Sequence, residues 1–166
     1  TSVPPGYRVE LVAAEPLADS PILIDFDADG RMYVVEMQAF LPDNSERDSF
    51  EPINKIAVLE DTNDDGKMDK RTVFAEKLVM PRAIKVLADG VLVAENPNLW
   101  LMKDTNGDLV ADTKELVTDT YGRGRNVEHD ANSLYWAMDN VMYSSEHSAD
   151  LRWKNGKLEV LPRSEE

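Results

Sequence analysis

The apolar residues of this chain fall in short runs rich in Val, Ile, Leu and aromatic side chains, and Asp, Asn, Gly or Pro interrupts them at short intervals. Such runs, with β-branched members and turn residues at both ends, fit strands, whereas a helix needs apolar positions three and four apart over a longer stretch. No segment carries a convincing helical stripe. The pattern predicts strands over 8–12, 22–26, 32–36, 55–60, 71–75, 83–87, 91–95, 99–103, 114–118, 134–138, 142–145, 151–154 and 157–161.

The connections carry turn chemistry. Asp27-Ala28-Asp29-Gly30, Ala88-Asp89-Gly90, Asp139-Asn140 and Asn155-Gly156 supply residues that tolerate the positive φ of tight hairpin turns. Consecutive strands are therefore expected to pair as antiparallel neighbours.

The chain also repeats itself. Residues 55–74 lie over residues 99–117 with almost no gaps, each copy reading strand, Asp/Asn loop, strand. An apolar hairpin precedes each copy, and a third hairpin over 134–145 leads into the runs at 151–161. This gives three four-stranded units, 22–76, 81–118 and 131–161, within one domain over 1–166. Four antiparallel strands recurring at about 40 to 50 residues is the signature of propeller blades. The expected fold is thus all-β, about three four-stranded antiparallel blades of a partial or open β-propeller, with a small β-sandwich as the other architecture these hairpins allow. Three blades do not close a ring, so either the chain is part of a larger propeller or other protein chains cover its open edges. The insertion at 38–52 and the loop at 119–130 are long enough to be functional.

Composition narrows the chemistry. Of the 166 residues, 18 are Lys or Arg and 32 are Asp or Glu, a net charge of −14, which makes nucleic acid and anionic lipid poor partners. The absence of cysteine excludes disulfides, thiol nucleophiles, zinc-thiolate and iron–sulfur sites and covalent c-type haem. No stretch approaches the roughly 18 apolar residues of a membrane span. The opening Thr1-Ser2-Val3-Pro4-Pro5 reads as that of a processed or excised chain, soluble by itself.

The repeated loops are the clearest candidate sites. Asp61, Asn63, Asp65 and Asp69 stand at positions 1, 3, 5 and 9 of a loop with Gly66 at position 6 and the Lys67 carbonyl at position 7. Alternating oxygens in a tight loop suit Ca2+, which takes six to eight of them. Position 12 is Thr72 and the flanks are strands, so this is a calcium loop in a hairpin and not an EF-hand. The second loop offers Asp104, Asn106, Asp108, the Val110 carbonyl and Asp112, but Leu109 stands where the first has glycine, which should weaken the cage. The bland reading of both is an Asx-rich solvated turn.

Two histidines occur, His129 and His147. His129 lies in a polar stretch with Arg123, Arg125, Asn126 and Asn132 at the entrance of the third unit. That set offers a base, two cations and amide donors, as a cofactor pocket would, against the alternative of a polar loop capping the sheet edge. His147 ends a strand of the same unit and is otherwise an exposed strand-end residue. Trp100, Trp136 and Trp153 fall on predicted strands and read as blade core.

With these residues in hand, the chain resembles the N-terminal blades of bacterial propeller proteins related to soluble pyrroloquinoline quinone (PQQ) dependent sugar dehydrogenases, especially those termed membrane-bound dehydrogenase domain proteins. The segments that carry the resemblance are 6–16, 24–37, 58–69 and the stretch around His129. The resemblance implies a six-bladed propeller holding PQQ and calcium over its channel, with a histidine as the base that takes a hydroxyl proton from a sugar or alcohol while hydride passes to PQQ. The matching residues are His129, Asn132, Leu134, Asp139 and Tyr143, and Arg123 or Arg125 would pair a cofactor carboxylate. Ala131 and Asn140 depart from the family's glycines, and the later blades with most cofactor contacts are missing.

Two readings follow. The first is a calcium-stabilised, PQQ dehydrogenase-like propeller segment, exported to the periplasm or cell surface and too short for catalysis alone. The second is a non-catalytic extrinsic scaffold or binding subunit of a larger membrane electron-transfer complex, respiratory or photosynthetic. A free calcium sensor is the weakest reading, because rigid hairpin loops lack the paired helices that move in sensors.

Overall fold

The computed structural model describes residues 2–39, 50–122, 130–145, 149–154 and 157–162. Twelve strands form three four-stranded antiparallel sheets, and no α-helix occurs among the described residues. The first sheet is β1 (Pro21–Phe26), β2 (Met32–Glu36), β3 (Asn54–Glu60) and β4 (Lys70–Leu78). The second is β5 (Pro81–Leu87), β6 (Gly90–Glu95), β7 (Asn98–Lys103) and β8 (Thr113–Thr118). The third is β9 (Tyr135–Trp136), β10 (Val141–Tyr143), β11 (Ala149–Lys154) and β12 (Lys157–Pro162). In each sheet the strands lie in chain order, as blades of a partial propeller do, and the described residues form no closed barrel.

The turn residues place the hairpins. Gly30, which has no Cβ, and Asn140, whose short polar side chain tolerates it, take the left-handed φ of 81° and 64°. Gly90 is required for a different reason: a Cβ there would stand 2.7 Å from the Met102 carbonyl oxygen on the neighbouring strand. Asn155-Gly156 lies outside the described residues.

The repeat read from sequence extends to pairing irregularities. The β3–β4 register shifts between Ile56 and Ala57, and the β7–β8 register shifts between Leu99 and Trp100, the corresponding positions of the second copy. The first strand of each of these sheets also shifts near its start, at Pro21/Leu23 and Pro81/Ala83.

Packing explains why the runs are continuously apolar. Alternate residues of a strand face opposite sides, and the middle sheet is covered on both. Val91, Val93 and Met102 face the first sheet and join Tyr33, Val35, Ile56, Val58 and Phe74. Leu92, Ala94, Leu99 and Leu101 face the third sheet and join Tyr121, Leu134, Met142 and Leu151. Asp25 ties the first two sheets together by accepting from Val86 N at 2.8 Å and pairing with Lys85 Nζ at 2.8 Å.

The outward face of the first sheet, Met32, Val34, Ala57 and Leu59, is covered by the chain's own N-terminal segment through Ala13, Leu17 and Ala18, with Met68 alongside. The strand expected over 8–12 does not form. Tyr7, Val9 and Leu11 alternate as in a strand but are 77%, 76% and 69% exposed, because no described strand edge lies beside them.

Two hydrogen bonds give this segment its place. Met68 N donates to Val12 O at 2.9 Å, and Ala111 N, the corresponding residue of the next unit, donates to Phe74 O of β4 at 2.8 Å. The N-terminal segment therefore stands to the first sheet as β4 stands to the second. On this face the cover is a segment of the chain itself.

Candidate functional site

The two Asp/Asn loops join β3 to β4 and β7 to β8, and each is closed at its neck by the same bond. Asp69 N donates to Glu60 O at 2.9 Å, and Asp112 N donates to Lys103 O at 2.8 Å. Inside, the leading aspartate gathers the backbone. Asp61 accepts from the N–H groups of Gly66 at 2.7 Å and of Asn63 and Asp65 at 3.3 Å. Asp104 accepts from Gly107 at 2.7 Å, Leu109 at 2.8 Å and Asn106 at 3.1 Å.

The remaining oxygens follow in step. Asn63 and Asn106 accept from the N–H of Asp65 and Asp108 at 2.9 and 3.0 Å. Asp65 and Asp108 accept from Lys67 N and Val110 N, both at 2.9 Å. Asp69 and Asp112 each take the N–H and the hydroxyl of a threonine, Thr62 and Thr105. All ten predicted loop residues therefore belong to two matching arrangements.

Leu109 does not prevent the second loop from forming. It adopts φ of 65° where Gly66 adopts 84°, and its side chain packs against the apolar cluster of Tyr33, Phe74 and Met102. The loops share out their glycines. The first has Asp64 and then Gly66 at the two left-handed positions, and the second has Gly107 and then Leu109. Core contact offsets the steric cost that a branched side chain meets at positive φ.

Electrostatically, both leading aspartates remain ionised. Partial desolvation raises the Asp61 pKa, but the N–H groups of Gly66, Asp65, Asn63 and Asp64 outweigh it and hold the carboxyl below its ordinary value. The balance is the same at Asp104, where desolvation is overcome by Gly107, Leu109, Asn106 and Asp108. The donor set is wholly oxygen, which suits a hard cation and no soft one. Among the described residues, however, no three His, Cys, Asp or Glu side chains converge as a metal-holding group. The loop carboxylates bend inward onto backbone N–H groups.

The segment that leads from β8 toward the other predicted site starts at the opposite end of the strands. The loops follow the Glu60↔Lys70 and Lys103↔Thr113 pairs, while the segment leaving β8 sets out from the far end, at Leu99↔Thr118. There Tyr121 N donates to Pro97 O at 2.8 Å and Asn96 Nδ2 donates to Ala131 O at 2.8 Å. Arg123, Arg125, His129 and His147 lie outside the described residues.

Asn132 is exposed, and its main chain closes a hairpin: its carbonyl accepts from Ser145 N at 3.2 Å and from Ser144 Oγ at 3.1 Å. Of the other matching residues, Leu134 is core and Asp139 braces its own turn, accepting from Tyr143 OH at 2.6 Å and Val141 N at 3.1 Å. Trp100, Trp136 and Trp153 pack against the two inter-sheet cores as expected. Of the residues expected to contact PQQ, only Asn132 lies among the described residues.

From residue 1 to residue 161 the sequence matches DUF7133, a domain of unknown function. The chain belongs to that family. No curated protein matches it. In this DUF7133 chain, sequence reasoning located the Asp/Asn loops but missed the groups around them, chiefly Tyr33, Arg31 and the Glu36–Arg71 pair. Tyr33 and Glu36 read as ordinary strand residues, and their only signal is a polar atom inside an otherwise apolar run.

Proposed function

We propose that this DUF7133 chain is a calcium-braced segment of a propeller protein resembling the PQQ-dependent sugar and alcohol dehydrogenases, working in the periplasm or at the cell surface. The observation that supports it is the residue-by-residue match of two oxygen-lined loops at one end of neighbouring sheets. Asp61, Asn63, Asp65, Asp69 and the Lys67 carbonyl would hold one Ca2+, and Asp104, Asn106, Asp108, Asp112 and the Val110 carbonyl a second. These loops lie at the strand end opposite Tyr121 and Ala131, so calcium there acts on the fold. It would add stability as any ligand of the folded state does, in proportion to occupancy.

The test is a thermal melt with Ca2+ and with chelator. A fall in Tm on chelation, reproduced by Asp65→Ala in the presence of Ca2+, is the expected result, and an unchanged melt in chelator removes calcium from the reading.

In the enzymatic form of the proposal, His129 takes a substrate hydroxyl proton and Arg123, Arg125 and Asn132 hold the cofactor. PQQ, when bound, would accept the hydride. Reduction of an artificial electron acceptor in the presence of PQQ and sugar, abolished by His129→Ala, checks it.

A second form, a non-catalytic extrinsic subunit held by other chains, is favoured by the third sheet. Its outward side exposes Tyr135 and Tyr143, with Met138 exposed at the adjoining turn. Copurification with other subunits and silence in the acceptor assay would select this form.

A further inference from the structure

A cavity of about 390 Å³ opens at the seam between the first two sheets, at the end that carries the Asp/Asn loops. The β1–β2 turn contributes Asp27, Asp29 and Arg31, the β5–β6 turn contributes Asp89, and the second loop contributes Asp104. Tyr33 and Phe74, in edge-to-face contact with centroids 5.5 Å apart, complete the wall. The volume is within the range of small-molecule sites.

Its charges are not balanced. Arg31 pairs with Asp27 at 3.4 Å and Asp29 at 2.6 Å, and Lys103 pairs with Asp89 at 3.0 Å. Asp104 accepts only backbone N–H groups and has no cationic partner among the described residues. Four carboxylates thus face two cations, in a chain whose net charge of −14 already concentrates cations at its surface.

A second observation is independent of the acidic groups. Tyr33 is 7% exposed and lines the cavity, and its hydroxyl makes no hydrogen bond among the described residues. The hydroxyl keeps contact with solvent and so opens into the cavity, where an incoming donor can reach it. Burial and the charges of Asp27 and Asp104 raise its pKa, so the hydroxyl stays protonated at neutral pH and offers oxygen lone pairs to an incoming N–H.

We infer that this cavity binds a small organic cation bearing a primary ammonium group. The ammonium donates to the Asp104 carboxylate and to the Tyr33 hydroxyl oxygen, with the Phe74 ring beside it contributing cation–π attraction. The site shares Asp104 with the second loop's metal position proposed above, so the ammonium and Ca2+ would compete for that carboxylate, which is why the titration is made in chelator.

The experiment is calorimetric titration of the whole chain at low salt and in chelator, using putrescine as probe and glucose as the neutral control. Putrescine is expected to saturate a single site, with affinity falling as salt rises, while glucose gives no saturable heat. Tyr33→Phe, which removes only the hydroxyl, should weaken putrescine about five- to tenfold. Asp89→Asn, on an exposed turn, should weaken it less. The inference is overturned if putrescine does not saturate at millimolar concentration, if glucose binds in its place, or if Tyr33→Phe binds putrescine as well as the parent with an unchanged melt. Because chelator is present throughout, a calcium-independent melt leaves this result standing.

Discussion

Arg71 donates to Glu36 Oε2 at 2.6 Å, and this pair fastens the N-terminal segment to the first sheet. Glu36 is 1% exposed, and its other oxygen accepts from Asp19 N at 3.0 Å, while Arg71 Nε donates to Leu17 O at 3.0 Å. Removing one member leaves the other charge without its partner at a buried position. Arg71→Met is expected to cost about 3 to 5 kcal/mol in urea unfolding, and the double variant Arg71→Met/Glu36→Leu to recover much of that loss. Two single costs that simply add in the double variant would show that the pair is not coupled.

Leu109 sits at positive φ with its side chain in the core, and the two effects oppose each other. Asparagine tolerates the backbone better but gives up the packing. Leu109→Asn should therefore lower stability by about 1 to 2 kcal/mol. In the first loop no apolar contact is at stake, since nothing lies within 4 Å of a Cβ added at Gly66. Gly66→Ala should cost about 1 kcal/mol from conformation alone. Stabilisation by Leu109→Asn in a chemical melt would mean that backbone strain outweighs packing there.

Acid should act on the loops. Asp61 and Asp104 have folded pKa values below the ordinary 3.8, so over the relevant range the unfolded chain binds more protons than the folded one. Their stabilisation is complete above the unfolded value and is lost as pH falls through the depressed one. Urea midpoints followed against pH are expected to hold steady down to about pH 5 and fall below about pH 4. Asp61→Asn should flatten part of that fall, and an identical pH profile for the variant would take Asp61 out of the account.

The N-terminal segment is also a cover. Deleting residues 2–18 would uncover Met32, Val34, Ala57 and Leu59 and remove the bonds to Arg71 and Met68. The truncated chain is expected to bind a hydrophobic dye strongly and to associate in sedimentation, because a bared apolar sheet face seeks a partner. Monomeric, dye-silent behaviour would show that the segment is dispensable.

The strands were legible because a sheet covered on both faces needs apolar residues at nearly every position, as in Val91-Leu92-Val93-Ala94. Their ends were less so: β4 runs on to Leu78 through Glu76 and Lys77, polar residues that sequence reads as loop. The 8–12 segment failed for a reason that lies outside itself. Its alternation is that of a strand, but pairing is decided by whether an edge is adjacent. The loop oxygens were legible from spacing alone. The tolerance of Leu109 was not, because the contacts that compensate it come from Phe74 and Tyr33 on another sheet. The seam cavity escaped for the same reason, its walls arriving from four separate segments.

The matching bonds of Met68 to Val12 and Ala111 to Phe74 bear on how such a stack grows. In its bonding the first sheet is an interior layer and not a starting layer, since it receives from the N-terminal segment the same anchor that the second receives from the first. A layer that carries the socket for its predecessor can be copied as a unit, and each copy then fits the one before it without a new joint. The swapped glycines of the two loops fit such a unit: one bend, held by different residues in each copy.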